Sequence, residues 1–227
     1  YNYHKQMIGS GSSWSTSDGQ QMLWDAERTP VTMIAYAPFM SEATPDASLT
    51  VNALTNQSTE ENVKSSDFLL MKATVDPEQD LTADGKLKIS LNHAMSKLII
   101  KITVNGTVDA SMSKLGDMAI NGAVVNATCD LSAAAPVVVP AADAVVATVA
   151  PYKGTESCEC ILPPQKIAEG FSVNFSYDGK LYIWTAKEAI ELEKGVEHTL
   201  TLNVNTTVRL AAKVARNWAT GQLIDRN

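Results

Sequence analysis

The feature that most constrains this chain is the strict alternation of apolar and polar residues in short runs. Leu87, Ile89 and Leu91 are separated by Lys88 and Ser90, and in an extended chain this spacing puts three apolar side chains on one face. A half-buried strand is expected there. Leu98, Ile100, Ile102 and Val104 continue the pattern on even positions, so the phase change calls for a bulge or bend within residues 93–97. Asn105-Gly106 then ends the run as a turn. Phe171, Val173, Phe175 and Tyr177 alternate up to Asp178-Gly179, and Leu181 to Trp184 follow at once. An Asp-Gly pair between two such runs predicts a hairpin over residues 171–185, because a type I′ turn needs positive φ at both central positions. Leu200, Leu202 and Val204 alternate again after Gly195, as do Val31, Met33 and Ala35 before Pro38. At least six strands are expected.

Helical signals are weak by comparison. Thr59 to Asp67 and Thr185 to Lys194 are short, charged helix candidates, and the second also suits a loop between strands. Short strands with frequent Gly, Pro and Asn punctuation favour β-sandwiches over a βαβ arrangement. Residues 76–85, rich in Asp, Glu and Pro, are the best linker, with a domain boundary expected near 76–86. Residues 126–157, heavy in alanine, valine and proline, read as a long irregular excursion with one internal strand at Val145 to Val149.

Composition narrows the function classes. The 227 residues carry 18 basic and 25 acidic side chains, a formal charge of -7 with pI near 5.0, the wrong sign for binding phosphate backbones. No nucleic-acid partner is expected. The most apolar stretch, Ala133 to Ala150, is broken by Pro136, Pro140 and Asp143 and lacks the run of about 20 apolar residues that a membrane helix needs. The sequence starts at Tyr1 without a basic and apolar leader, so any export signal is expected upstream or already removed.

Reactive chemistry is sparse. Cys129, Cys158 and Cys160 are odd in number, which leaves at least one free thiol, and their spacing fits neither a redox CxxC nor a zinc tetrad. No metal and no cofactor is expected. His4, His93 and His198 sit in no nucleophile motif, and Glu60-Glu61 and Glu156/Glu159 read as solvated charge rather than a glycosidase pair. The sequons at Asn56, Asn105, Asn126 and Asn205 match too short a pattern to carry weight.

Several phrases, taken in order, resemble the fimbrillin family of type V pilus subunits and related surface lipoproteins of Gram-negative anaerobes. Met33-Ile34-Ala35-Tyr36-Ala37-Pro38-Phe39 resembles the family's "FAYYPY" strand, and Ser66 to Ala73 (SDFLLMKA) its "DLLxA" phrase. His93-Ala94-Met95-Ser96-Lys97-Leu98 is similar to "HALSKL", and Ile161-Leu162-Pro163-Pro164-Gln165 to "ILPQ". Leu192-Glu193-Lys194-Gly195 with Thr199 to Val204 resembles the "LEAGxxYxYxLTV" ending, and Trp218 the tryptophan common near the C-terminus. His198 stands where an aromatic is usual, and an extra proline enters the "ILPQ" phrase.

The resemblance implies an all-β chain of two transthyretin-like β-sandwich domains: residues 1–84, expected to lack upstream strands, and residues 85–227 with a C-terminal tail. It further implies a non-enzymatic subunit of a cell-surface fimbrium, exported as a lipoprotein and held at the outer membrane by a lipid on its precursor. Its partners would be other pilus subunits, joined by donor-strand exchange after proteolysis, and a host or bacterial surface ligand. The alternative is a surface glycan-binding lipoprotein, in which Trp14, Trp24 or Trp184 would stack on sugar rings. A hydrolase would need convergent titratable groups. Within residues 206–227, Val208, Leu210, Ala212 and Val214 share one face of an extended segment. They form the candidate donor strand, each insertion contributing about 2–4 kcal/mol of transfer energy. The same segment could instead complete its own C-terminal sandwich.

Overall fold

The computed structural model describes residues 4–10, 13–20, 22–25, 27–41, 43–44, 47–109, 112–204 and 211–216. In chain order the first strands are β1 (Met7–Ser10), β2 (Ser13–Thr16), β3 (Val31–Ala37), β4 (Ser48–Thr50), β5 (Leu69–Val75) and β6 (Asn92–His93). One helix, α1 (Glu60–Ser65), precedes β5. Then come β7 (Ser96–Val104), β8 (Thr107–Val108), β9 (Leu115–Val124), β10 (Ala127–Asp130), β11 (Val138–Pro140), β12 (Val146–Val149) and β13 (Tyr152–Lys153). The chain closes with β14 (Cys158–Leu162), β15 (Gln165–Ile167), β16 (Ser172–Tyr177), β17 (Lys180–Thr185), β18 (Ile190–Leu192), β19 (Glu197–Val204) and β20 (Ala211–Arg216). Among the described residues the fold is therefore nearly all β with a single short helix, as the alternation predicts.

Two compact units are each built from separate stretches of chain. The first takes Tyr1–Leu49, Leu69–Asn92 and Asp130–Pro136, and the second takes Thr50–Phe68, His93–Cys129 and Val137–Asn227. The division at 84/85 read from the sequence lies inside Leu69–Asn92. The unit boundaries also fall within β4 and β10, which with β11 form a three-stranded sheet in the order β11-β10-β4.

In the second unit, β13-β14-β7-β19-β20 run side by side, with β8 also on β7, as a six-stranded sheet. A second, four-stranded sheet has the order β12-β9-β16-β17. On the six-stranded sheet Leu98, Ile100, Ile102, Leu200, Leu202 and Val204 are buried, and on the four-stranded sheet Ile120, Val173 and Phe175 are. Each contributes about 1.5–3 kcal/mol by leaving water. The predicted turns form as expected: Asn105 and Gly106 have φ of 50° and 85°, and Asp178 and Gly179 have 51° and 74°.

Four readings need correction or trimming. Leu87 to Leu91 is not a strand: Leu87 makes one bridge to Leu81, nothing pairs with the residues after it before β6, and Ile89 is 41% exposed. Alternation specifies a buried face only where a neighbouring strand is available. Residues 126–157 hold the expected strand at Val145 to Val149 as β12, but they are less irregular than expected, since β10, β11 and β13 lie there too. Thr185 to Lys194 is not helical, because β18 pairs with β15 from Gln165↔Leu192 to Ile167↔Ile190. The other helix candidate shortens to α1, whose N-cap Thr59 Oγ1 accepts from the Asn62 N–H at 3.2 Å, while Glu60 and Lys64 pair along its exposed face.

In the first unit, β3 and β5 are antiparallel from Val31↔Val75 to Ala37↔Leu69, and the sheet order is β3-β5-β6. Lys72 on β5 donates to the carbonyls of Leu131 and Ala133 at 2.7 and 2.9 Å, which ties the Asp130–Pro136 stretch to this sheet. Among the described residues β3 is the end strand of this sheet. Its burial does not alternate as its sequence does: Val31 is 40% exposed and Met33 to Ala37 are half-buried.

Candidate assembly surfaces

The phrases singled out in the sequence meet one another as neighbouring strands. β7, from the His93–Leu98 phrase, and β19, from the ending phrase, pair in parallel from Glu197↔Lys97 to Val204↔Val104. The Lys97 N–H donates to the Val196 carbonyl and the Gly195 N–H to the Met95 carbonyl. Gly195 has φ of 65°, and an added Cβ would lie 3.1 Å from the His93 carbonyl oxygen. A glycine suits the position on both counts. Lys97 forms ion pairs across the sheet with Glu159 on β14 at 2.6 Å and Glu197 on β19 at 3.6 Å. The β3 and β5 phrases also lie side by side in the first unit, there as an antiparallel pair.

Two glutamines act as short strands. Gln57 is fully buried, donates from Nε2 to the Ile161 carbonyl at 2.8 Å, and accepts at Oε1 from the Ile161 N–H at 2.8 Å. β13 pairs with β14 only at Cys158 and Glu159, so the Gln57 amide occupies the backbone groups that β13 leaves further along. Gln165, from the "ILPQ"-like phrase, does the same for Val124 on β9, with both bonds at 2.9 Å. Periodicity marks neither residue, because a single polar side chain in a loop carries no pattern.

Of the candidate donor-strand residues, Ala212 and Val214 lie on β20, which pairs antiparallel with β19 and sets Ala212 opposite Leu202 and Val214 opposite Leu200. Val208 and Leu210 lie outside the described residues. Among the described residues β20 is the last strand of its sheet and is held by one ladder.

The titratable residues are placed structurally. His198 on β19 is buried, and its Nε2 accepts from the Glu193 N–H at 3.0 Å; burial lowers its pKa to about 4. His93 Nδ1 lies 2.6 Å from Asp67 Oδ2. Burial raises the Asp67 pKa, with the His93 charge opposing it. His4 Nε2 meets the Tyr36 hydroxyl at 2.7 Å. Cys129, Cys158 and Cys160 are all buried, and burial pushes the Cys158 thiol up to about 11, far from a reactive thiolate. Tyr177 is raised to about 12 by burial and by its hydrogen bond to Asp109 at 2.8 Å. Among the described residues, no group of three or more His, Cys, Asp or Glu is placed to hold a metal, and no helix is long and apolar enough to cross a membrane.

Of the tryptophans weighed for sugar stacking, Trp14 is 59% exposed. Trp24 is half-buried and donates from Nε1 to the Thr29 carbonyl at 2.9 Å. Trp184, also half-buried, meets Phe171 edge-on with ring centroids 6.1 Å apart.

The chain belongs to the fimbrillin-like family, whose model matches residues 1–218. Solved structures share its fold at low identity. One, from Bacteroides uniformis and described as a candidate cell-adhesion protein, has a TM-score of 0.62 at 18% identity, covering 88% of this chain and 78% of its own. A Bacteroides ovatus protein of the same description has a TM-score of 0.61 at 16% identity, covering 95% of this chain and 75% of that one. A third, from Bacteroides thetaiotaomicron, has a TM-score of 0.52 at 16% identity over 88% of this chain and 77% of that one. No curated protein matches the sequence.

Proposed function

We propose that this chain is a structural and adhesive subunit of a cell-surface pilus, without catalytic activity, that polymerises by donor-strand exchange. Family membership supports the pilus role, and the candidate cell-adhesion proteins that share the fold support adhesion. The observation that carries the assembly mechanism is the position of β20, an end strand held by a single ladder to β19. A strand bound on one side only has a single ladder to give up, so it can leave its own sheet and pair with an open strand edge of another subunit.

In this reading β20 leaves its own sheet and the segment Val208 to Val214 docks on the first unit of the next subunit. The half-exposed β3 at the margin of β3-β5-β6 supports that unit as acceptor, once a protease has removed a strand upstream of Tyr1. The six- and four-stranded sheets of the second unit would face each other as a transthyretin-like sandwich. Export as a lipoprotein would put the subunit at the outer membrane. Among the described residues Trp14 is the one exposed tryptophan, which gives the glycan-binding alternative a single ring rather than a platform. The test is electron microscopy of cells expressing the intact precursor: pili on wild-type cells, and none with residues 206–227 deleted, support the proposal, whereas pili of normal length from the deletion overturn the donor role.

A further inference from the structure

The four-stranded sheet has two margins, and they differ. At one margin, β12 is four residues long and its register with β9 shifts between Ala147 and Thr148. A bulge of this kind blunts an edge against further pairing. At the other margin, β17 runs six residues in unbroken register with β16 from Tyr177↔Lys180 to Ser172↔Thr185. The strand contains no proline, and its one charge is Lys180 at the start. The usual protections of an edge strand are missing along Leu181 to Thr185.

The hairpin geometry fixes which backbone groups face outward. With a two-residue turn at Asp178-Gly179, Tyr177 and Lys180 exchange both ladder bonds, and the pairing alternates from there. Lys180, Tyr182 and Trp184 therefore bond inward to β16, and Leu181, Ile183 and Thr185 direct their N–H and C=O groups away from the sheet. Leu181 is 87% exposed and Ile183 66%. Tyr182 stacks on Phe175 and Trp184 packs on Phe171, so the strand is anchored through its other face. The outward backbone groups and the exposed apolar side chains belong to the same residues.

We propose that β17 is a self-association edge: two copies of this chain pair their β17 strands antiparallel about a two-fold axis at Tyr182, making one continuous sheet. This register puts Leu181 of each copy opposite Ile183 of the other, and both residues of each pair have outward ladder groups, so bonding and apolar contact are satisfied together. Charge selects the orientation. Asp178, which also pairs with Lys114 of its own chain at 3.6 Å, precedes the strand and Lys187 follows it, and the antiparallel register sets Asp178 opposite Ala186 of the second copy, beside that copy's Lys187. A parallel pair would put like charges together. The contact is small and hence weak for isolated subunits, but many copies along a polymer would add through multivalency. It is lateral, and it does not depend on strand donation by the C-terminal tail.

Analytical ultracentrifugation of the purified chain over a concentration series tests this. The expected result is a monomer–dimer equilibrium that Leu181→Lys and Ile183→Lys each weaken by at least about tenfold and that Val146→Lys on the opposite margin leaves unchanged, with melting temperatures like wild type. A second measurement reads the register. An equimolar mixture of Leu181→Cys and Ile183→Cys chains should form an inter-chain disulfide on oxidation that neither variant forms alone, the native cysteines being buried. A chain that stays monomeric even at the top of the series, about 1 mM, overturns the proposal, as does a dimer indifferent to both lysine variants. A monomer whose Leu181 and Ile183 amides become protected only on adding a peptide copying residues 206–218 would also overturn it, placing a donated strand there instead.

Discussion

His198 and Gln57 show how single polar groups are tolerated in this interior. His198 is buried with an acceptor role toward the Glu193 N–H, and protonation would both charge a buried ring and remove that acceptor. Its pKa falls from the usual 6.5 to about 4 on folding, so between these values the unfolded chain binds more protons. Stability from this group is complete above about pH 6.5 and is lost as the pH falls toward 4, on the order of 3 kcal/mol in all. Chemical denaturation at pH 7 and pH 4.5 should show the loss. In His198→Leu the acid-side loss from this group should vanish, at a pH-independent cost of about 1–3 kcal/mol for the orphaned N–H. Gln57→Leu should cost about 2–4 kcal/mol, because it strips partners from both the N–H and the C=O of Ile161. Amide exchange at Ile161 should accelerate selectively, and uniform acceleration across β14 would contradict the local role.

At the scale of elements, Gly195 controls how β18 leads into β19. Gly195→Ala should destabilise by about 1–2 kcal/mol, since its φ of 65° disfavours a Cβ and that Cβ would press on the His93 carbonyl. Thermal melts of the variant check this; an unchanged midpoint would mean the turn relaxes freely. The elements legible in the sequence were those whose side-chain period and turn chemistry agree, such as β7 with Asn105-Gly106, the β16–β17 hairpin with Asp178-Gly179, and β19. Leu87 to Leu91 had the period without the partner. Within residues 126–157 the strand at Val145 to Val149 was legible and forms as β12 (Val146–Val149), whereas β10, β11 and β13 are two to four residues long and too short to show a period. On the candidate donor segment, alternation pointed to Ala212 and Val214, which do lie on a strand. That β17 ends its sheet was not legible, because the order β12-β9-β16-β17 rests on β9–β16 pairing of residues such as Val173 and Ile120, far apart in sequence.

For the whole molecule, the same limit governs how the chain divides. Each compact unit gathers distant stretches, and the central strands of the second, β7 and β19, pair in parallel across about a hundred residues, which local periodicity does not encode. In the pilus reading, the strand at the margin of this sheet serves exchange rather than closure. Deleting residues 206–227 tests that most directly, with the purified chain melted and the precursor followed in cells. The account predicts a folded monomer whose melting temperature falls by less than about 10 °C and cells without extended pili. A fall of tens of degrees would show that the segment belongs to its own core, and pili of normal length would show that another strand is the donor.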